Sequence, residues 1–251
     1  MSSTEVSFDE PLSKHDPDAV LICLHVPKTG GQTMRRLVET NYEKNQTLAC
    51  YPNNPKYADL DDLKSMSAEK KAELKVVVGH IDYGVHKYFD RPCRYFSMVR
   101  HPIERIISSF QHVMRNNEVL AKKCSSLLRF YEISPKRLFL DNFQTRMYSG
   151  QQPARGECTH EMLWTAIENI EKHFDAVVTN EEYNRSVAVL GKLYGWPTTE
   201  YKKLNVTPDR QPRDSYSAYE IEYIEKWNQL DLALYDYVSS RFEKQAMGMG
   251  I

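Results

Sequence analysis

The stretch Ala19-Val-Leu-Ile-Cys-Leu-His-Val-Pro-Lys-Thr-Gly-Gly-Gln-Thr-Met-Arg-Arg-Leu-Val38 decides the architecture. Residues 19–26 form a short continuous apolar run without polar alternation, the pattern of a strand buried on both faces of a parallel sheet. Pro27 ends the run. Lys28-Thr29-Gly30-Gly31-Gln32-Thr33 follows as a glycine loop, and Met34, Leu37 and Val38 then recur at helical spacing. A strand, a glycine loop and a helix in that order present backbone N–H groups at a helix N-terminus, which is an anion site. Lys28 adds a charge at the mouth, and the hydroxyls of Thr29 and Thr33 add donors, so phosphate is the natural guest. The Walker A order, GxxxxGK[ST], puts lysine after the last glycine, whereas Lys28 precedes both Gly30 and Gly31. An ordinary ATP-hydrolysing loop is therefore disfavoured.

The same alternation repeats outward from this unit. An apolar run at Leu74 to Val78, preceded by a charged amphipathic stretch from Asp61 to Lys75, stops at Gly79-His80. A third run, Cys93 to Val99, stops at Arg100-His101-Pro102, where proline suits the first turn of a helix continuing through Ile106, Ile107, Phe110 and Val113. A fourth, Phe174 to Val178, reaches Thr179-Asn180-Glu181-Glu182, a cap and acidic first turn for a helix ending near Tyr194. From Ala218 to Phe242 the apolar residues keep helical spacing, and one long helix is expected there. These elements predict an α/β protein with a P-loop-like three-layer fold: a central, mainly parallel sheet flanked by helices, binding ligands beyond the strand C-termini. A single domain over 17–243 is expected, with tails at 1–16 and 244–251 and loops at Pro52 to Asp62 and Gln151 to His160.

Composition excludes several classes. The 251 residues are 41% hydrophobic and 27% charged, which fits neither a disordered nor a collagen-like chain. No apolar run approaches the roughly 18–20 residues of a membrane span. The polar N-terminus lacks the order of a signal peptide, so a cytoplasmic location is expected for the chain as given. Five cysteines without a CxxC pair read as reduced thiols. With 33 Lys and Arg against 34 Asp and Glu, no global pull toward nucleic acid or membrane is implied. Between Arg115 and Arg155, however, eight basic residues face three acidic ones, either a solvated helix surface or one that meets an anionic ligand.

A second motif, Arg100-x-Pro102-x-x-Arg105-x-x-Ser108-x-Phe110, straddles the end of the third run and its helix. Arg100 and Ser108 converge on one group if a ligand lies across the first turns, the arginine supplying forked hydrogen bonds. Arg105 reads equally as a core-edge salt bridge. Together these residues resemble a known family. His25-Val-Pro-Lys-Thr-Gly-Gly-Gln-Thr33 resembles the 5′-phosphosulfate loop of sulfotransferases, and Arg100 to Phe110 is similar to their 3′-phosphate motif. The match is nearest to the carbohydrate-type branch that includes heparan sulfate 2-O-sulfotransferases. Weaker echoes at Asp141 to Gly150 and Leu204 to Pro208 extend the likeness over roughly residues 20–240.

The resemblance implies 3′-phosphoadenosine 5′-phosphosulfate (PAPS) as co-substrate and the 3′,5′-bisphosphate (PAP) as product, with no metal. Pro27, Lys28, Thr29, Gly30, Gly31, Gln32 and Thr33 would surround the 5′ end, and Arg100 and Ser108 the 3′-phosphate. Gln32 departs from the family's usual Thr or Ser. Lys28 would stabilise the leaving phosphate. His80, ending the second run, is the candidate base, because an ordinary imidazole is mostly neutral at pH 7; His25 and His86 are the other candidates. Related 2-O-sulfotransferases carry a second histidine two positions earlier, where this chain has Val78, so a two-histidine arrangement is not implied. Zinc on His80, His86 and Asp82 lacks a recognised spacing. Asn142, Gln144 and Arg146 are candidate acceptor contacts, and Asn205, Val206 and Thr207 are placed near the nucleotide by resemblance alone. The expected partner is a hydroxyl-bearing small molecule or glycan; oligomeric state stays open. Two other readings remain: a small-molecule or sugar kinase using Mg-ATP, and a non-catalytic module binding 3′-phosphoadenosine nucleotides or glycans.

Overall fold

The computed structural model describes residues 16–251 apart from 53, 125, 134–140, 198 and 200–210. Strands β1 (Val20–Leu24), β2 (Thr47–Cys50), β3 (Val76–Gly79), β4 (Cys93–Val99) and β5 (Phe174–Thr179) form one sheet in the order β2-β3-β1-β4-β5. Every neighbouring pair is parallel. The helices are α1 (Gly31–Asn41), α2 (Leu60–Ser65), α3 (Ala68–Glu73), α4 (Pro102–Asn116), α5 (Glu118–Lys123), α6 (Leu127–Ile133), α7 (Phe143–Ser149), α8 (His160–His173), α9 (Tyr183–Tyr194), α10 (Ala218–Lys226) and α11 (Gln229–Gly248).

The three layers follow from β1. All five of its residues are buried, and alternate side chains enter opposite cores because successive strand residues point to opposite faces. Val20, Ile22 and Leu24 pack with Met147, Ala166, Ile170, Leu234 and Val238 from α7, α8 and α11. Leu21 and Cys23 pack with Leu37, Val38, Val187 and Leu190 from α1 and α9. A strand covered on both faces explains the uninterrupted apolar run. The connections carry β1, β3 and β4 to one edge, where His25, His80 and Arg100 emerge.

Four expectations change. The edge strand β2 was not foreseen, because its four residues are mostly half-buried and lack an apolar signal. The single helix expected over 218–242 is two, broken at Trp227-Asn228, and the buried Asn228 makes the join with an Nδ2 hydrogen bond to the Tyr131 hydroxyl at 2.9 Å. Residues 244–251, expected as a tail, continue α11 to Gly248; Ala246 is buried, and Gln245 Nε2 donates to the Asp175 carbonyl at 2.9 Å. Glu181 and Glu182 precede α9 instead of forming its first turn, and Glu181 Oε1 accepts from the His101 amide at 3.0 Å. The N-terminal segment expected as a tail lies, but for Asp16, outside the described residues. All five cysteines are free thiols.

Candidate active site

The loop after β1 is tied down from below and from both sides. The His25 amide donates to the Gly79 carbonyl at 2.9 Å, joining it to β3. Thr29 Oγ1 donates to the Val26 carbonyl at 2.7 Å, so this hydroxyl holds the loop's own turn, whereas the sequence suggested a phosphate contact. Asn180 Nδ2 reaches the Thr29 carbonyl at 3.1 Å, and the Tyr183 hydroxyl reaches that of Gly30 at 3.3 Å. Gly30 caps α1 at φ 86, and a β-carbon there would lie 2.7 Å from the Tyr183 ring, so conformation and space both require glycine. Lys28 also has a positive φ, 73, which an L-residue adopts only under constraint. Thr33 is buried in the first turn of α1, and Gln32 is exposed beside it. Within that turn the Thr33 and Met34 amides donate to the Gly30 carbonyl, at 3.1 and 3.3 Å.

Arg100 leaves β4 with only 9% of its surface exposed. Its Nη1 donates to the Lys28 carbonyl at 3.1 Å, connecting the two sequence motifs directly, and Nη2 lies 3.8 Å from Glu104. Gln144 clamps the Arg100 backbone: its Oε1 accepts from the Arg100 amide at 3.1 Å, and its Nε2 donates to the Arg100 carbonyl at 2.9 Å. Gln144 is held in turn by Asp231 of α11. That carboxylate accepts from the amides of Gln144 and Thr145 at 3.0 and 2.7 Å, capping α7 from a neighbouring helix. Asn142 returns the cap, its Oδ1 accepting from the amides of Leu230 and Asp231. Arg146 is fully buried, paired with Asp141 at 2.8 Å and bonded to the carbonyls of Asp141, Pro153 and Ala154. Asn142, Gln144 and Arg146, expected as acceptor contacts, thus direct these polar groups to partners inside the fold.

Arg105 is buried too, stacked 4.8 Å over the Phe143 ring and facing Asp231, which makes it a core residue. Ser108 sits half-buried on α4, two turns beyond Arg100. Of the eight basic residues between 115 and 155, Arg146 and Arg155 are consumed internally, the latter on the Tyr131 carbonyl and ring. Arg115 instead contributes to the field at Lys28.

Three imidazole positions separate clearly. His80 is half-buried, and its ring centre lies 4.6 Å from His25 and 4.8 Å from Tyr51. Burial, with the charge of Lys28 second, pushes its pKa down to about 4, so it is neutral at pH 7. His25 is 7% exposed, with Nδ1 3.0 Å from the Tyr51 hydroxyl. Burial first, then His80, Arg35 and Lys28, holds it well below the ordinary histidine range. A second histidine therefore does stand beside His80, supplied by the residue that follows β1 instead of position 78. His86 is elsewhere: its Nδ1 is 2.9 Å from the Tyr95 hydroxyl and its ring stacks on His173, near the start of β5 and away from the loop. Lys28 itself is pushed down to about 8 by burial, then by Arg100 and Arg115. Lys28 and Arg100 thus bring two cations to the N-terminal side of α1, with Glu104 beside Arg100. Among the described residues, no three His, Cys, Asp or Glu side chains gather as metal ligands would.

The model of the sulfotransferase family matches residues 13–238, nearly the whole chain. The chain belongs to the sulfotransferase family. No curated protein matches it. Solved structures similar to this sulfotransferase-family chain include mouse sulfotransferase SULT7A1 complexed with PAP, 13% identical with a TM-score of 0.43, over 83% of this chain and 63% of that one. A sulfotransferase from Alicyclobacillus acidocaldarius is 13% identical with a TM-score of 0.40, over 84% of this chain and 95% of that one. The chain therefore spans less than two thirds of the mouse protein's length.

Within this family member the structure unites Lys28, Gly30, Gly31, Arg100, His80 and His25 and removes His86. Asn205, Val206 and Thr207 lie outside the described residues. Sequence reasoning missed Tyr51, Asn180 and Tyr183 as site residues, and it gave Gln144 a different part, as an acceptor contact. Only Asn180, placed just past the fourth apolar run, carried a positional signal.

Proposed function

We propose that this protein transfers a sulfuryl group from PAPS to a hydroxyl acceptor, with a carbohydrate as the preferred class. The observation that supports the reading is the hydrogen bond from Arg100 to the Lys28 carbonyl, which holds the arginine proposed for the 3′-phosphate against the loop proposed for the 5′ end. A ligand with phosphates at both ends would bridge the two. In the reaction, the acceptor hydroxyl gives its proton to His80 while its oxygen attacks sulfur. The bond from sulfur to the bridging oxygen breaks, and the charge left on the 5′-phosphate is met by Lys28 and the amides of α1. No metal takes part in this scheme. The pKa of His80, about 4, suits a neutral acceptor of protons but a weak one. A bound phosphosulfate offsets the Lys28 charge and raises His80 basicity when the acceptor needs it. A surface depression of about 320 Å³, lined by Tyr51, Pro52, Asn54, Pro55, Tyr57 and Asp59, borders this edge and offers space for an acceptor ring. The site is proposed to act without a membrane or nucleic-acid partner, in the cytoplasm; among the described residues no helix is long and apolar enough to cross a membrane.

A thermal-shift titration with PAP, 5′-AMP and Mg-ATP tests the donor. PAP at about 100 times its dissociation constant stabilises by roughly 2.7 kcal/mol. Stabilisation by PAP alone, followed by PAP release from PAPS in an acceptor panel, is expected. Preference for Mg-ATP would turn the reading toward a kinase, and PAP binding without transfer to any acceptor would turn it toward a binding module.

A further inference from the structure

We propose that His25, held by Tyr51, is a positioning residue that locks the donor loop and His80 into one arrangement. The inference rests on the reading above, which makes His80 the base, but its geometry is independent of the acceptor. His25 is the first residue after β1 and touches three parts of the site at once. On one side Nδ1 lies 3.0 Å from the Tyr51 hydroxyl, an interaction buried from water. On another its ring meets His80 edge to face, with centres 4.6 Å apart. On the third its Nε2 occupies the space where a Gly31 β-carbon would be, 1.5 Å from that position. The missing side chain at Gly31 is thus a seat for His25, and the seat is the first residue of the helix whose amides face the donor.

Tyr51 is fixed from behind. Arg35 lies 5.5 Å over its ring and 4.8 Å over that of Tyr57, and it pairs with Glu39 at 3.3 Å. Tyr51 also closes on His80 at 4.8 Å, so tyrosine and both histidines form a closed triangle of rings. Burial keeps the tyrosine protonated, so it has a hydrogen to donate to Nδ1. A shift of His25 therefore displaces the loop and the base together. The charged groups facing the pair are Lys28 and Arg35, with His80 and Tyr51 the other titratable neighbours.

The test uses Tyr51→Phe, which removes one hydroxyl, His25→Asn, which keeps a hydrogen-bonding group near Nδ1, and His25→Ala. Two readouts are taken on the full chain: transfer kinetics with PAPS, and the His80 ring titration followed by NMR, which needs no turnover. In Tyr51→Phe, kcat is expected to fall by about tenfold with PAP affinity held within about twofold. In His25→Ala, His80 becomes better solvated, and its titration is expected to move up by about one pH unit or more. His25→Asn should recover part of both. A purely structural role would lower the melting temperature without moving the His80 titration. The double variant His25→Ala/Gly31→Ala gives a second check: it should bind PAP better than Gly31→Ala alone, because the clash is gone. An unmoved His80 titration together with no relief in the double variant overturns the proposal, whatever the wild-type turnover. Failure of the wild type to use PAPS, with His80 still responding, would overturn the functional reading and leave the positioning intact.

Discussion

With Lys28 on the donor as proposed, its depressed pKa makes donor affinity depend on pH in a range where ordinary lysines are silent. At about 8, Lys28 is about nine-tenths charged at pH 7, half charged at pH 8 and about one-tenth charged at pH 9. An anion seated on the loop favours the charged form, so the bound state has the higher pKa and binding takes up a proton. Affinity for PAP is then present below pH 8 and is lost as pH rises through it. The expected weakening between pH 7 and pH 9 is about tenfold, or about 1.4 kcal/mol, whereas a lysine at about 10.4 would give almost none. His80, near 4, does not titrate in this window. The phosphate groups, whose second pKa is about 6, have largely ionised by pH 7. Isothermal titration calorimetry at constant ionic strength, in two buffers of different ionisation heat, reads both quantities. Uptake of about half a proton per nucleotide at pH 8 is expected, and a Lys28→Met variant should bind weakly with a flat profile. A wild-type affinity that stays constant from pH 7 to pH 9 with no proton uptake would refute the assignment of Lys28 to the anion site.

Lys28→Met should also raise stability by about 1–3 kcal/mol at pH 7, since a partly buried charge beside Arg100 is removed. The lysine's penalty is full below its folded pKa and is relieved as pH rises from 8 toward its unfolded value, so the gain measured by urea unfolding should shrink over that interval. Gln144→Leu unclamps Arg100 and should weaken PAP more than 5′-AMP, a difference readable in the ratio of the two affinities by calorimetry. Asp231→Ala removes the cap of α7 and leaves Arg105 without its buried counter-charge; a loss of about 3–5 kcal/mol in denaturant unfolding is expected. Arg146→Ala should abolish folding or lower the melting temperature sharply, whereas an acceptor contact would change KM in a protein of unchanged stability.

What the sequence showed and what it hid divide along chain distance. The layered fold was legible because β1, β3, β4 and β5 are each a short apolar run followed by polar residues, a local signal that burial on both faces imposes. β2 carried no such signal because it lies at the sheet edge with one partner. The anion loop was legible for the same local reason: its glycines, lysine and helix start are consecutive. The supports were not. Gln144 meets Arg100 across 44 positions, Tyr51 meets His25 across 26, and Asn180 meets Thr29 across 151, with nothing in their neighbours' composition to announce the pairing. Asn142, Gln144 and Arg146 were singled out because polar residues in a basic stretch look available to a ligand. Burial inverts that inference, since a buried polar group is already bonded.

The loop itself gives the strongest physical argument that it exists for an anion. Lys28 combines a left-handed backbone, a partly buried ammonium and an arginine bonded to its own carbonyl. The first two are unfavourable in themselves: the backbone conformation by an order of 1–3 kcal/mol, the crowded charge by its lowered pKa. Among the described residues, the sheet behind it is apolar and the helix N-terminus in front already carries positive potential. A glycine at position 28 would relieve the strain, and a neutral side chain would relieve the charge. A ligand of high negative charge, as proposed for this site, would offset both costs. The offset is largest when that charge is spread over two groups, one before Lys28 and one before Arg100. A donor phosphorylated at both ends meets that requirement; a singly phosphorylated nucleotide satisfies only half of it.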